Sequence, residues 1–196
     1  MSTIVHREVF SQISGHRALD LVNTVDWRLS RERLTEELHD YDDVLRWATQ
    51  VGILTNENLD ALRVLAERSP AEADNEVVRV RALREALYAT LFGEGDPGIL
   101  ASEYSSAIER GALARIDTGW GWQVPVELSM PRHLIGFEAH DLITRGNLSV
   151  LAQCQDAECG WVFLDQSPRH NRRWCVAADC GNRNRAREFY RRSRED

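Results

Sequence analysis

Cys154-Gln155-Asp156-Ala157-Glu158-Cys159-Gly160 and Cys175-Val176-Ala177-Ala178-Asp179-Cys180-Gly181 hold all four cysteines of the chain, as two Cys-x4-Cys pairs with fifteen residues between them. A tetrahedral metal site needs that arrangement. Each pair can occupy one tight turn, and the intervening loop lets the two turns face each other. Disulfides are disfavoured: Met1 to Phe10 lacks the apolar core of a signal peptide, so a cytoplasmic location is expected, and the cytoplasm keeps thiols reduced. No Cys-x2-Cys redox motif is present. Cys154, Cys159, Cys175 and Cys180 therefore read as ligands of one structural zinc ion, whose coordination sphere four thiolates would close. A redox role through metal release stays open beside that reading. Gly160 and Gly181, one after each pair, are expected to supply positive φ. Trp161 to Leu164 reads as a short strand, and Trp174 as a cover for the site.

The residues that follow are basic. Formal net charge is −7, yet Gln166 to Arg194 holds nine arginines against only Asp179 and Glu188. Every one of the 24 basic residues is arginine, the side chain suited to bidentate contacts with phosphate and guanine. From Asn182 to Arg194 the pattern is helical. At about 100° per residue, Arg183, Arg187, Arg191 and Arg194 share an arc of about 80°, which is expected to face outward while Phe189 docks the helix. Ser167, Arg169, Asn171, Arg172 and Arg173, in the loop between the cysteine pairs, form a second basic cluster suited to a flanking backbone, with Arg172 and Arg173 as its candidate DNA contacts. DNA is the expected partner of Arg172, Arg173, Arg183, Arg187, Arg191 and Arg194, ahead of docking on the acidic body of this same chain. An acidic protein surface is the competing one.

Residues 1–147 read as a helical domain. Tyr41 to Val51 follows Asp40, Thr55 opens a helix with Leu59, Leu62 and Leu65 as its stripe, and Pro70 or Ala71 to Phe92 is the longest helix. Gly98 to Arg110 and Pro131 to Gly146 are two more. Ala112–Asp117 and Trp120–Val126 flank Thr118-Gly119 as a hairpin. The expected fold class is mainly α: a helical N-terminal domain with a small β-hairpin, then, over residues 148–196, a four-cysteine zinc module with a short hairpin and one basic helix. No apolar run reaches the length of a membrane span.

In the short apolar segment Ala18 to Thr24, Asp20 and Asn23 share a helix face. They could line an effector pocket with Trp47, although internal hydrogen-bond partners are the preferred reading. Trp27, Trp120 and Trp122 carry the same pair of readings, with core packing preferred. The six histidines, His6 included, are scattered. A phosphate loop, nucleophile elbow, His-Glu metal motif and Gly-x-Gly fingerprint are all absent, so no enzyme is expected. The alternatives to a DNA-binding regulator are a small-molecule-binding protein or enzyme with the zinc module as a lid, and a protein-docking module. A homodimer would pair with a palindromic site.

Arg172-Arg173-Trp174-Cys175 through Cys180-Gly181-Asn182-Arg183 resembles the CGNR zinc-finger signature. Gly15-His16-Arg17-Ala18-Leu19-Asp20-Leu21-Val22-Asn23-Thr24 is similar to the start of the ABATE-type domain that commonly precedes it, and Tyr41 to Trp47 to that domain's next stretch. Leu21 stands where Phe is common, and Asn184-Arg185 where Lys is common. The resemblance implies a bacterial, stress-related transcription regulator with four zinc-binding cysteines and a DNA-binding tail.

Overall fold

The computed structural model describes residues 9–93, 95–116 and 119–195. In chain order the elements are α1 (Arg17–Val22), β1 (Val25–Asp26), β2 (Thr35–Glu36), α2 (Tyr41–Gln50), α3 (Asn56–Arg68), α4 (Pro70–Phe92), α5 (Gly98–Arg110), β3 (Ala112–Ile116), β4 (Gly119–Gln123), α6 (Met130–Arg145), β5 (Leu151–Gln153), β6 (Val162–Leu164) and α7 (Asn182–Glu195). The fold is mainly helical, with three antiparallel two-stranded hairpins, β1–β2, β3–β4 and β5–β6. No described helix is long and apolar enough to cross a membrane.

The described residues form two compact units that do not follow chain order. Residues 37–146 with Val9 and Phe10 make one; residues 11–36 and 147–195 make the other. In the first unit, sequence chemistry sets the helix ends. Asp40 caps α2 in a capping box with Asp43, and Thr55 does the same for α3 with Asn58, so orphan amides at both starts are satisfied reciprocally. Pro70 stands at the start of α4, where its missing N–H costs nothing. Val77, Val80, Leu83 and Leu87 of α4 are buried with Val44, Leu45 and Trp47 of α2 and Ile135 and Leu142 of α6. Each aliphatic side chain among them, taken out of water, contributes about 1.5–3 kcal/mol. Leu62 alone of the expected α3 stripe is fully buried.

Across this core runs a buried ion pair. Arg132 Nε lies 2.7 Å from Glu76 Oε2, and Arg132 also bonds Glu103, while Arg79 reaches Glu76 at 2.9 Å. The β3–β4 hairpin pairs Leu113 with Trp122 and Arg115 with Trp120. Its expected turn is partly outside the described residues, since 117 and 118 are not among them; His6 lies outside them too. Trp120 is not core: it is 65% exposed, because a two-stranded hairpin with no layer over it has no inside. Trp122 is stacked on Phe137 at 5.5 Å.

In the second unit, β5 enters Cys154 and β6 leaves the first cysteine pair, with Leu151 opposite Leu164 and Gln153 opposite Val162. A π-helical turn, Ala177–Gly181, carries Cys180 and runs directly into α7.

Candidate metal centre and its arginine helix

The sulfur atoms of Cys154, Cys159, Cys175 and Cys180 all lie within 4.8 Å of one another and are buried. Cys159 and Cys175 are 3.6 Å apart at sulfur, Cys175 and Cys180 3.4 Å. Four thiolates at about 2.3 Å from a common centre would stand about 3.8 Å apart, so the cluster fits a tetrahedral cation and is too open for disulfides. Phe163 is buried against the sulfurs, and Ile13, Trp161, Trp174 and Val176 pack around them. Crowding the thiols raises Cys159 and Cys175 through hydrogen bonding with Cys154, and burial raises Cys180; Cys154 alone is lowered, by hydrogen bonds from Cys159 and Cys175. Four buried thiolates would need a countercharge, which a divalent cation could supply.

The two glycines after the pairs differ. Gly160 has φ +74°, and a Cβ there would stand 2.8 Å from Arg28 Cβ. Gly181 does not take the expected positive φ; a Cβ there would meet the Trp174 ring at 3.0 Å. Close approach of the tryptophan cover, not backbone handedness, is what favours glycine at 181.

The expected orientation of α7 is reversed. Phe189 does not dock the helix: it is 68% exposed, and Tyr190 67%. The docking face is the N-terminal half of the arginine stripe, Arg183 and Arg187, while Arg191 and Arg194 stay exposed as expected. Asp156, inside the first cysteine pair, has a fully buried side chain. It accepts from Arg183 Nε at 3.0 Å, Arg187 at 3.3 Å, Asn184 Nδ2 at 2.9 Å and the Glu158 amide at 3.1 Å. Burial pulls the Asp156 pKa up, but the Glu158 amide and the two arginines outweigh it and hold the carboxyl below its usual range. Arg187 also bonds Glu158. Arg183 further donates to Asp179 at 2.7 Å and to Cys180 Sγ at 2.9 Å. A buried carboxylate must be paired, and that requirement overrides the small apolar gain of seating Phe189. Asp156 escapes the sequence reading; an acid inside a cysteine pair, opposite an arginine helix, is the available signal.

Arg172 is likewise held inside the unit. Its guanidinium donates to the carbonyls of Trp174, Cys175 and Ile13 and lies 4.0 Å over the Phe163 ring. Arg173 reaches Gln155 at 2.7 Å. Arg191 and Arg194 are exposed on the distal part of α7. Of the six arginines expected at a nucleic-acid surface, Arg172, Arg183 and Arg187 are therefore occupied by this unit's own acceptors.

Residues 11–36 build the other wall of the site. Asn23 donates to the Val162 carbonyl at 2.9 Å and accepts from the Val162 amide at 2.8 Å. The Arg28 amide bonds the Cys159 carbonyl at 3.0 Å, and Trp161 Nε1 donates to Val25 at 3.1 Å. Trp27, at φ +53°, has two guanidinium groups over its ring, Arg33 at 3.2 Å and Arg183 at 4.3 Å. Asp20 accepts from the Ser14 amide at 3.1 Å; burial raises its pKa and the Ser14 bonds lower it in part. Trp47 belongs to the other unit and is wholly buried.

The first unit holds an open cleft of about 900 Å³ among α3, α4, α5 and the start of α6, lined by Glu76, Arg79, Glu109, Arg110, Arg132 and His133 among others. Burial, then Arg132, lowers the pKa of His133. Asp20, Asn23 and Trp47 do not line this cleft.

Two families match the chain. Residues 15–146 match the ABATE family, described as "Putative stress-induced transcription regulator". Residues 151–193 match the CGNR zinc finger. No curated protein matches. Both descriptions concern regulation or metal binding, and neither names a catalysed reaction.

Proposed function

The chain belongs to the ABATE family and carries a CGNR zinc finger behind it, and from that premise we propose that it is a regulator that binds DNA through α7, with zinc as the cation of its four-cysteine centre. Zinc, when bound, supplies much of the folding free energy of a segment with little core of its own. Cys154, Cys159, Cys175 and Cys180 would hold it, and with four thiolates no position is left for hydrolytic chemistry. The chain's own residues do the rest. Asp156 ties Arg183 and Arg187 down, which fixes the direction in which α7 leaves the centre. Arg191 and Arg194 of the expected set, joined by Arg185 and Arg192, are then offered to phosphates, with Arg173 at the flank. Arg172, Arg183 and Arg187 position the helix.

The observation that carries this reading is the exposed run from Arg185 to Arg194, with four exposed arginines against one glutamate, on a helix that continues directly from the cysteine centre. About four phosphate contacts predict a slope of log K against log salt near −3 to −4. Fluorescence polarisation of the metal-loaded full chain with labelled genomic fragments, from about 50 to 200 mM salt, measures it. A steep slope, lost when a chelator strips the metal, supports the reading. Absence of binding by protein containing one zinc per chain would defeat it and leave the acidic-partner or lid alternatives.

A further inference from the structure

Resting on the nucleic-acid reading above, we propose that α7 recognises unpaired nucleotides, as single-stranded DNA, by stacking bases on Phe189 between flanking arginines. Docking through Asp156 leaves one face of the helix open. Arg183 and Arg187 point at Asp156. At about 100° per residue, the opposite face carries Arg185, Phe189 and Arg192 within about 60°. Phe189 is 68% exposed and contacts Tyr190 edge-on, with ring centroids 5.8 Å apart.

Charge and shape together select the partner. Arg185 is exposed and bonds Asn182 of its own helix. Arg192 pairs with Glu188 at 3.8 Å, with side chains 73% and 60% exposed. A solvated pair of that kind holds its arginine weakly, so a phosphate can take it over. An acidic protein partner would satisfy the arginines but would leave the phenyl face without a specific role. A duplex major groove would use the arginines on base edges, while a phenyl ring there meets little beyond a thymine methyl. Bases outside a duplex offer a π-face to the ring and phosphates to the guanidinium groups on either side. From Arg185 to Arg192 the helix rises about 10 Å, which sets a guanidinium group on either side of a base stacked on Phe189.

The experiment uses the metal-loaded full chain, a mixed-sequence 15-nucleotide strand and the duplex of the same sequence, read by fluorescence anisotropy. Tighter binding of the single strand is expected. Phe189→Ala should weaken it about 5- to 150-fold, the effect of losing one stacked base, while leaving duplex binding and the salt slope unchanged. Arg185→Gln with Arg192→Gln should instead flatten the single-strand slope by about 1.4. These side chains are exposed, so the variants keep the fold, which circular dichroism and metal content check. If neither DNA form binds, the regulator reading itself fails. If the duplex binds as well as the single strand and Phe189→Ala changes neither, DNA binding stands and the stacking proposal is overturned. A change in oligomeric state on Phe189→Ala, by light scattering, with DNA binding intact also overturns it.

Discussion

Replacing Asp156 with alanine should release α7 from the cysteine centre without removing any sulfur. The buried carboxylate accepts four hydrogen bonds, three from side chains of α7 and one from the Glu158 amide. A hydrogen bond to a charged group is worth about 1.5–3 kcal/mol. Not all of that is lost. Arg187 is 42% exposed and keeps Glu158, so its share falls to the surface-pair value of about 0.5 kcal/mol. Asn184 keeps the Cys180 carbonyl at 2.9 Å. Arg183, 24% exposed at the side chain, loses its least hydrated partner, and the Glu158 amide loses its acceptor. The net cost is about 2–4 kcal/mol, which corresponds to an opening equilibrium constant about 30- to 700-fold larger, and to exchange faster by the same factor. A helix of this length is marginal by itself in water, so undocking should expose its amides. Native-state hydrogen exchange on metal-loaded protein reads the effect at residues 186–190, with metal content measured on the same samples. Exchange within about threefold of the parent, with metal retained, would refute the assignment of Asp156 as the anchor of α7.

Arg172→Ala should destabilise the second unit by about 2–4 kcal/mol, since several buried carbonyls lose a charged donor; chemical denaturation followed at the tryptophans checks it, and a loss confined to DNA affinity would contradict it. Glu76→Ala should cost the first unit about 1.5–3 kcal/mol, because buried Arg132 loses Glu76 and keeps only Glu103, and the double variant with Arg132→Met should recover part of that. Thermal unfolding of the three proteins tests the pair. Burial lowers the His133 pKa below 6.5, so the unfolded chain takes up a proton that the folded one refuses. The stability that His133 contributes is complete above about pH 6.5 and falls as pH drops through that value toward its folded pKa. Urea midpoints at pH 7.5 and 5.5 should differ less in His133→Gln than in the parent; an equal difference would rule the effect out. Removing the metal should melt the second unit and leave the first helical, which circular dichroism before and after chelation reports.

Local chemistry makes the first unit legible. Asp40 and Thr55 announce helix starts because capping is a short-range rule, and the spacing of Val77, Val80, Leu83 and Leu87 announces α4 because burial follows period 3.6. The cysteine spacing announces the cluster in the same way. The orientation of α7 does not follow from its pattern, because the rule that seats the apolar face inward presumes an apolar dock. Here the dock is a carboxylate, and a charge-paired interface leaves no hydrophobic period to read. The contribution of residues 11–36 to the wall of the metal centre is also invisible in the sequence. It consists of backbone bonds such as Arg28 to Cys159 and of the Asn23–Val162 pair, separated by 139 positions, and such contacts leave no local signature. Gly181 is the right residue for another reason: the constraint comes from the Trp174 ring packed against it.

The salt dependence of DNA binding by the metal-loaded chain, set beside that of a variant carrying glutamine at positions 185, 191, 192 and 194, puts the role of α7 to the test. If α7 meets phosphates with these four exposed arginines, the variant keeps its metal and its fold while its slope falls by about 3–4 on duplex or about 3 on single strands. An unchanged slope and affinity would place the contact elsewhere and contradict the assignment of α7 as the DNA-binding element.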